Sequence, residues 1–505
     1  MRKTLLLGAA FAVGALAASD VVTYEEFGAV GDGKTDDHKA IVAAHAAANE
    51  RGLPVRARDG KTYYIGGGAK AAVIKTDVDF GTAKFVIDDR KLENYKVPVF
   101  RVDPSKSSFE VKGVKTLARG QAKLDVSLPG PCLVEAVNGK VRQYIRYGLN
   151  QNNGSPQKEV FLVAADGTVD PATPIVWDYA HVSRLMAHPV DAKTLTIKGG
   201  IFTTIANQAE SKYRYHARGF TVRRSNVRIE GLRHDVTGEG DHGAPYGGFV
   251  SVLYCANVMV SNCVFTAHKT YRTIGAAGRP VSMGSYDICA NNSVNVSFVN
   301  CRQTTDINDG RYWGLFGSNY CKNLLYDGCT FSRFDAHMGV ANATVRSCEL
   351  GYMGINAIGF GSFLVENTTV RSRSFFNLRG DYGSTWRGDF IVRNCTFVPR
   401  DGKKSAFALV NGSSTDWHDF GYECYMPRKI VFDGLKIDDS SHPEKYDGPF
   451  VFAMFNSKNT SASYVEKYPY HVTEEVVLKN VTTASGKPVR LSPNKWMFRN
   501  VRMTK

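Results

Sequence analysis

The sequence predicts an all-β fold, a right-handed parallel β-helix (a solenoid), and three observations carry that expectation. A short pattern recurs ten times between Asn226 and Val501. Inside each copy apolar and polar residues alternate at period two, which marks strands and not helices. Upstream, a glycine-rich loop leads into a helix-like segment, where a solenoid needs its open end covered. The chain has 505 residues, more than one globular core takes, and repeats escape that limit because each buries its face on the next. Its 43% hydrophobic content is that of a folding chain.

From the N-terminus, the sequence divides into 1–17, a signal peptide; 18–92, a cap with the first coils; 93–220, a β-rich insertion with early coils; and 221–505, the parallel β-helix. Arg2 and Lys3 precede an apolar stretch, residues 5–16, too short to span a bilayer. Ala15-Leu16-Ala17 is a cleavage site, and no Cys follows for a lipid anchor. A secreted or periplasmic protein is expected, with no membrane insertion.

The cap reads Phe27-Gly-Ala-Val-Gly-Asp-Gly-Lys-Thr-Asp-Asp-His38, followed by Ala40-Ile-Val-Ala-Ala-His-Ala-Ala-Ala48. Thr35 or Asp36 is placed to cap the helix. The first piece resembles the N-terminal signature of the pectate-lyase-like superfamily, Phe-Gly-Ala-x-Gly-Asp-Gly-x-Thr-Asp-Asp, and the repeats extend the resemblance over most of the chain. It implies a right-handed β-helix and, most closely, an exported polysaccharide lyase of the glycosaminoglycan or uronan type. Hydrolases and phage tailspikes share this cap.

Residues from about 93 to 220 fit the repeat poorly. Pro98-Val-Phe-Arg-Val102 and Val160-Phe-Leu-Val163 read as ordinary strands broken by Gly-Pro and Asp-Gly turns. They predict an insertion leaning on the helix.

The repeats begin at Asn226, Asn257, Asn295, Asn323, Asn342, Ser362, Asp389, Lys429, Glu475 and Lys495, at spacings of 31, 38, 28, 19, 20, 27, 40, 46 and 20. A unit near 20 residues with variable insertions is the mark of a β-solenoid. Asn or Gly before the seventh position suits a turn of unusual φ. Cys263, Cys301, Cys329, Cys348 and Cys395 then share one column, read as buried thiols because in-register side chains do not face one another for disulfide bonding. Disulfides at Cys255 or Cys289 stay open.

Chemistry on stacked coils should appear as polar residues in matching places. His337-Met-Gly-Val340, Asn356-Ala-Ile-Gly359 and Asn377-Leu-Arg-Gly380 align so that Met338, Ala357 and Leu378 face inward. His337, Asn356 and Asn377 form an outward column with Arg379 beside it. Tyr312 and Trp313, with Arg311, hold this place on the rung before; Tyr352, Asp381, Tyr382, Trp386 and Arg387 come from adjoining turns. Elimination at a uronate needs a neutralised carboxylate, a base for the C5 proton and an acid for the leaving oxygen. His337 could be the base, Tyr312 or Tyr382 the acid or an alternative base, and Asn356, Asn377 and Arg379 the carboxylate holders. Trp313, Arg311, Trp386 and Arg387 would bind substrate. The set is similar in residue type to metal-independent glycosaminoglycan lyases. No resident cofactor or metal is expected, with Ca²⁺ the alternative source of neutralisation.

A rival basic region runs through Tyr213-Arg-Tyr-His-Ala-Arg218, Arg223, Arg224, Arg228, Arg233 and His234, with His268, Lys269 and Arg272 a coil later. It could wall a groove for sulfates or carboxylates. The net charge of +15 favours an acidic polysaccharide over a neutral one. Export and the lack of nucleic-acid motifs argue against nucleic acid. The leading reading is a monomeric lyase of a uronic-acid polymer, plausibly of chondroitin or dermatan type. An inverting hydrolase would instead draw paired carboxylates from Asp306, Asp309, Asp335 and Asp381. A non-catalytic, tailspike-like glycan binder is the third reading.

Overall fold

The computed structural model describes residues 20–314, 316–400, 402 and 406–505. The expected signal peptide lies outside the described residues. Among the described residues thirty-two strands join in one parallel network, and the chain is a right-handed parallel β-helix. No helix among the described residues is long and apolar enough to cross a membrane.

Register follows the sequence repeat closely. Val227, Val258, Val296, Leu324, Ala343, Phe363, Phe390, Ile430 and Val476 pair rung to rung as one buried column. Each is the second residue of its repeat. The tenth repeat is the exception. Residues 495–500 form turns, which bury Met497 and Phe498, and the strand that pairs with Glu475–Lys479 is Arg502–Thr504. The apolar alternation of this segment closes the last coil instead of forming a rung.

Two corners explain the repeat's polar letters. Asn226, Asn257, Asn295, Asn323 and Asn342 all take φ between 55° and 59°, a left-handed conformation that Asn tolerates. Each later amide donates to the carbonyl of the Asn before it, at 2.9, 2.9, 2.9 and 3.2 Å. The second corner, before the Cys column, has positive φ at Asn262, Asn300, Gly328, Asn394 and Gly434. The five column cysteines are buried free thiols, as are the other five, Cys255 and Cys289 included.

The capping helix is His38–Arg51 and ends on Gly52 in the left-handed conformation. Asp37 occupies the N-cap position, where Thr35 or Asp36 is expected, but its side chain makes no capping hydrogen bond, because its carboxylate is committed elsewhere. It accepts from the Val30 and Gly31 N–H groups and ties down the glycine loop. Asp36 accepts from His38 N and Gly66 N.

Phe100–Val102 is a rung of the helix, paired in parallel with Ala72–Ile74 and Phe220–Val222, and does not belong to the insertion. The insertion follows it as an antiparallel sheet of Phe109–Glu110, Cys132–Gln143, Ser155–Val163 and Arg184–Pro189. It has its own core around Phe161, Tyr179 and Leu185. Leu133 and Val160 pack on Ala256 and Val294 of the helix, and the buried Lys322–Glu159 pair at 2.7 Å locks the contact. This docking brings the tip between its two long strands, residues 144–154, over the adjoining face of the coils.

Candidate active site

That face carries a cleft of ≈ 820 Å³. Asn356 and Asn377 on its floor belong to a column one rung apart, Asp335, Asn356, Asn377 and Asn411, paired in register. The sequence alignment expects His337 in this column. Ala336 pairs with Ala357 but Val340 with Gly359, so two extra residues bulge out between them. Gly339 makes the turn possible at φ +61°. Ala336, not Met338, therefore takes the inward place, while Met338 packs outside the coil with Tyr144, Tyr320, Ile358 and Tyr382. The bulge sets His337 beside the column and on the cleft wall.

The hydrogen bonds of His337 fix its tautomer. The amide of Asn319 donates to Asn291 Oδ1 at 2.7 Å, which leaves its carbonyl oxygen facing His337 Nδ1 at 2.8 Å. Nδ1 must then donate, and Nε2 carries a lone pair with no protein partner among the described residues. Burial holds the imidazole well below its usual range, and Arg379, Arg333 and Arg146 push the same way. His337 is thus neutral at neutral pH.

The three arginines come from distant parts of the chain. Arg379 and Arg146 share Asp381, at 2.7 and 2.8 Å, and both guanidinium groups lie 5.2 Å from the Tyr382 ring. That ring stands edge-on to His337 at 5.4 Å. Arg333 pairs with Asp335 and lies 5.4 Å from the Trp313 ring. Its Nε and Nη1 are buried with no partner. Asn377 donates to Asn356 Oδ1 at 2.6 Å, which leaves the Asn356 amide nitrogen for a ligand. Tyr286 completes the wall, its phenol pushed up to about 12 by burial, so it stays a donor. A Cβ on Gly284 would sit 2.3 Å from the Tyr286 hydroxyl and 2.9 Å from Trp313 Nε1, so this glycine lets the two polar ends approach the cleft.

The fold is shared with phage tailspikes. The tailspike gp61 of Pseudomonas phage phi297 matches 96% of this chain and 84% of its own, at 14% identity and a TM-score of 0.50. The gp54 tailspike of Acinetobacter baumannii bacteriophage AP22, in complex with A. baumannii capsular saccharide, matches 95% and 77%, at 12% identity and a TM-score of 0.56. Likeness at this identity speaks to the fold alone. No family model matches the chain, and no curated protein matches it in sequence.

Of the residues singled out from sequence, His337, Asn356, Asn377, Arg379 and Trp313 line the cleft. Tyr382 stands behind His337 and Tyr312 lies outside the lining. Arg311 is exposed and paired with Asp309 on its own loop. Trp386 is fully buried among Phe363 and Phe390 and donates to Gly361 O, so it cannot bind substrate. Arg387 lies over the Tyr425 ring, away from the cleft.

The rival region does not form a groove wall. His268 is buried between Glu239 and Asp287, at 2.8 and 3.3 Å, and His234 joins the same chain at 2.7 Å from Asp287. Arg218 and Arg224 are buried in pairs with Asp89 and Asp191. Lys269 Nζ reaches the Gly240 carbonyl at 3.5 Å, and Arg272 is exposed on a hairpin. Tyr213 and Tyr215 from that region do reach the cleft.

Arg146, Arg333 and Tyr286 are the residues sequence reasoning passed over. Arg146 belongs to the insertion, and its partner Asp381 lies 235 positions away, so no local signal joins them. Ca²⁺ fits this donor set poorly. It needs carboxylate oxygens, and Asp335 and Asp381 are both held by guanidinium groups. Among the described residues no three His, Cys, Asp or Glu side chains cluster as metal ligands.

Proposed function

We propose that the protein is a polysaccharide lyase that cleaves a uronic-acid-containing anionic polysaccharide by β-elimination, plausibly of the chondroitin or dermatan type. The observation that carries this reading is the neutral His337, with Nε2 bare, in a cleft lined by three arginines. A uronate carboxylate would dock on Arg333, Arg379 and the Asn356 amide, which withdraws charge from C5 and acidifies its proton. The same docking offsets the positive field that keeps His337 weakly basic, so substrate binding raises the proton affinity of the base. Nε2 takes the C5 proton, the C4–O bond breaks as the C4=C5 double bond forms, and a solvent proton goes to the departing oxygen. Solvent then takes the proton from Nε2.

A hydrolase is less well supported, because it needs a carboxylic acid and a carboxylate across the scissile bond. Asp335 and Asp381 are tied to arginines instead, and Asp309 is tied to Arg311. The basic surface, the apolar leader of the sequence and the saccharide-bound AP22 tailspike fit an exported protein that works on glycans. A monomer is the simplest form consistent with this reading.

The test is turnover of a panel of uronans by His337→Ala. Loss of a proton-transfer group lowers the rate by ~10²–10⁴, with the circular-dichroism spectrum and Tm unchanged. Wild-type turnover in this variant would remove the assignment.

A further inference from the structure

The two ends of the cleft differ. Toward the N-terminal coils, three loops meet over it: the insertion tip of residues 144–154, the segment with Tyr213 and Tyr215, and the hairpin of Tyr271–Ile274 and Pro280–Met283. Ala277 N–H donates to Leu149 O at 3.2 Å, and the Tyr213 hydroxyl donates to Ser282 O at 3.5 Å. Gly275 is pressed on the insertion tip so closely that a Cβ would sit 2.6 Å from Leu149 O and 2.9 Å from Asn150 Oδ1. Behind this clasp, Tyr215 stacks parallel to Tyr286 at 6.4 Å between ring centres. At the C-terminal side the tip meets the loop after Asn411, through Ile145 N–H to Phe420 O at 3.2 Å and the Tyr147 ring 4.3 Å from that of Trp417, but among the described residues the cleft continues past this contact beside the asparagine column. Met353, Asn356 and Asn377 line both the main cleft and a second one of ≈ 560 Å³, whose wall holds Arg373 and Arg400. The Arg400 guanidinium lies 5.1 Å from the Tyr352 ring.

We propose that the cleft is a blind-ended groove, so that the protein acts on chain ends and releases a short product. This rests on the reading of the same site given above. The terminal sugars sit against Tyr215, Tyr286 and Trp313 at the clasped end, and the remaining polyanion leaves along Arg373 and Arg400. The Tyr286 strand is two rungs from His337 and the Gly247 strand beside Tyr215 is three. At ~4.8 Å per rung, ~10–14 Å separates His337 from the closed end, room for about two sugar rings. The product is therefore a mono- or disaccharide, and the aromatic end selects a sugar with an apolar face.

The experiment follows product size with time on a long uronan by gel filtration, with ultraviolet detection of the unsaturated uronate. One short product is expected from the first time points, beside polymer of nearly undiminished length. An early ladder of intermediate sizes, with rapid loss of viscosity, would overturn the blind end while leaving the elimination chemistry standing. Gly275→Leu, which wedges the clasp apart, is expected to shift the products toward that ladder. Failure of every uronan to yield unsaturated product would sink the lyase reading instead. In that case binding of oligosaccharides with a bulky tag at one end or the other decides the groove: one tag should abolish binding, and equal tolerance of both tags overturns the proposal.

Discussion

Two histidines, His268 buried and His337 half-buried on the cleft wall, show how environment sets charge. His337 sits among guanidinium groups and is neutral; His268 sits between Glu239 and Asp287 and is charged. Burial opposes the charge on His268, but the two carboxylates outweigh it and raise it to about 10. Its contribution to stability is fully present below the unfolded imidazole value of ~6.5 and lost as pH rises through about 10. His268→Ala leaves Glu239 without its imidazolium partner and Asp287 with His234 alone, and is expected to cost ~3–5 kcal/mol, read as a fall in the urea midpoint. An unchanged midpoint would contradict the ion-pair account. For His337 the sign reverses. Its folded value is depressed, so the base stays neutral as pH falls through ~6.5. The acid limb of kcat/KM is therefore expected well below the usual imidazole range, and a limb at or above it would count against His337 as the base. Sequence could single out His337, because an outward His on a rung stands out. It could not tell His337 from His268, since the difference lies in partners from other coils.

At the scale of the element, the fold was legible and the register of one rung was not. Nine of the repeats, from Asn226 to Glu475, are rungs because each puts an apolar residue at the same inward place, and the first five also share the corner Asn. The bulge between Ala336 and Val340 broke the rule without leaving the pattern, because Met338 is as apolar as the Ala336 that replaced it. Gly339 is what permits the bulge. Gly339→Ala meets a left-handed φ worth ~1–2 kcal/mol, and its Cβ would stand 2.9 Å from both the Tyr144 hydroxyl and the Tyr320 ring. Lower stability and a lower kcat are both expected, as His337 shifts on the wall. Asn295→Ala, far along the asparagine ladder, loses its side-chain hydrogen bonds and is expected to lower Tm with kcat intact. Equal kcat in the two variants would mean that the bulge does not position His337.

Over the whole molecule, two chain segments that look independent in sequence build one site. The helix supplies the floor and His337; the insertion supplies Arg146, the tip that covers the cleft, and half of the clasp. The net charge of +15 is what makes an anionic partner the expectation. The route by which residues 144–154 reach Asp381 was hidden, because docking depends on the Lys322–Glu159 pair and on Leu133 and Val160 packing against Ala256 and Val294, which no periodicity encodes. The chemistry assigned to this assembly is elimination and not hydrolysis. The most direct measurement is mass spectrometry of the oligosaccharides released from a chondroitin or dermatan chain in water enriched in ¹⁸O. The account predicts products with an unsaturated terminal uronate and no ¹⁸O at the new ends. Saturated products that carry ¹⁸O would contradict it.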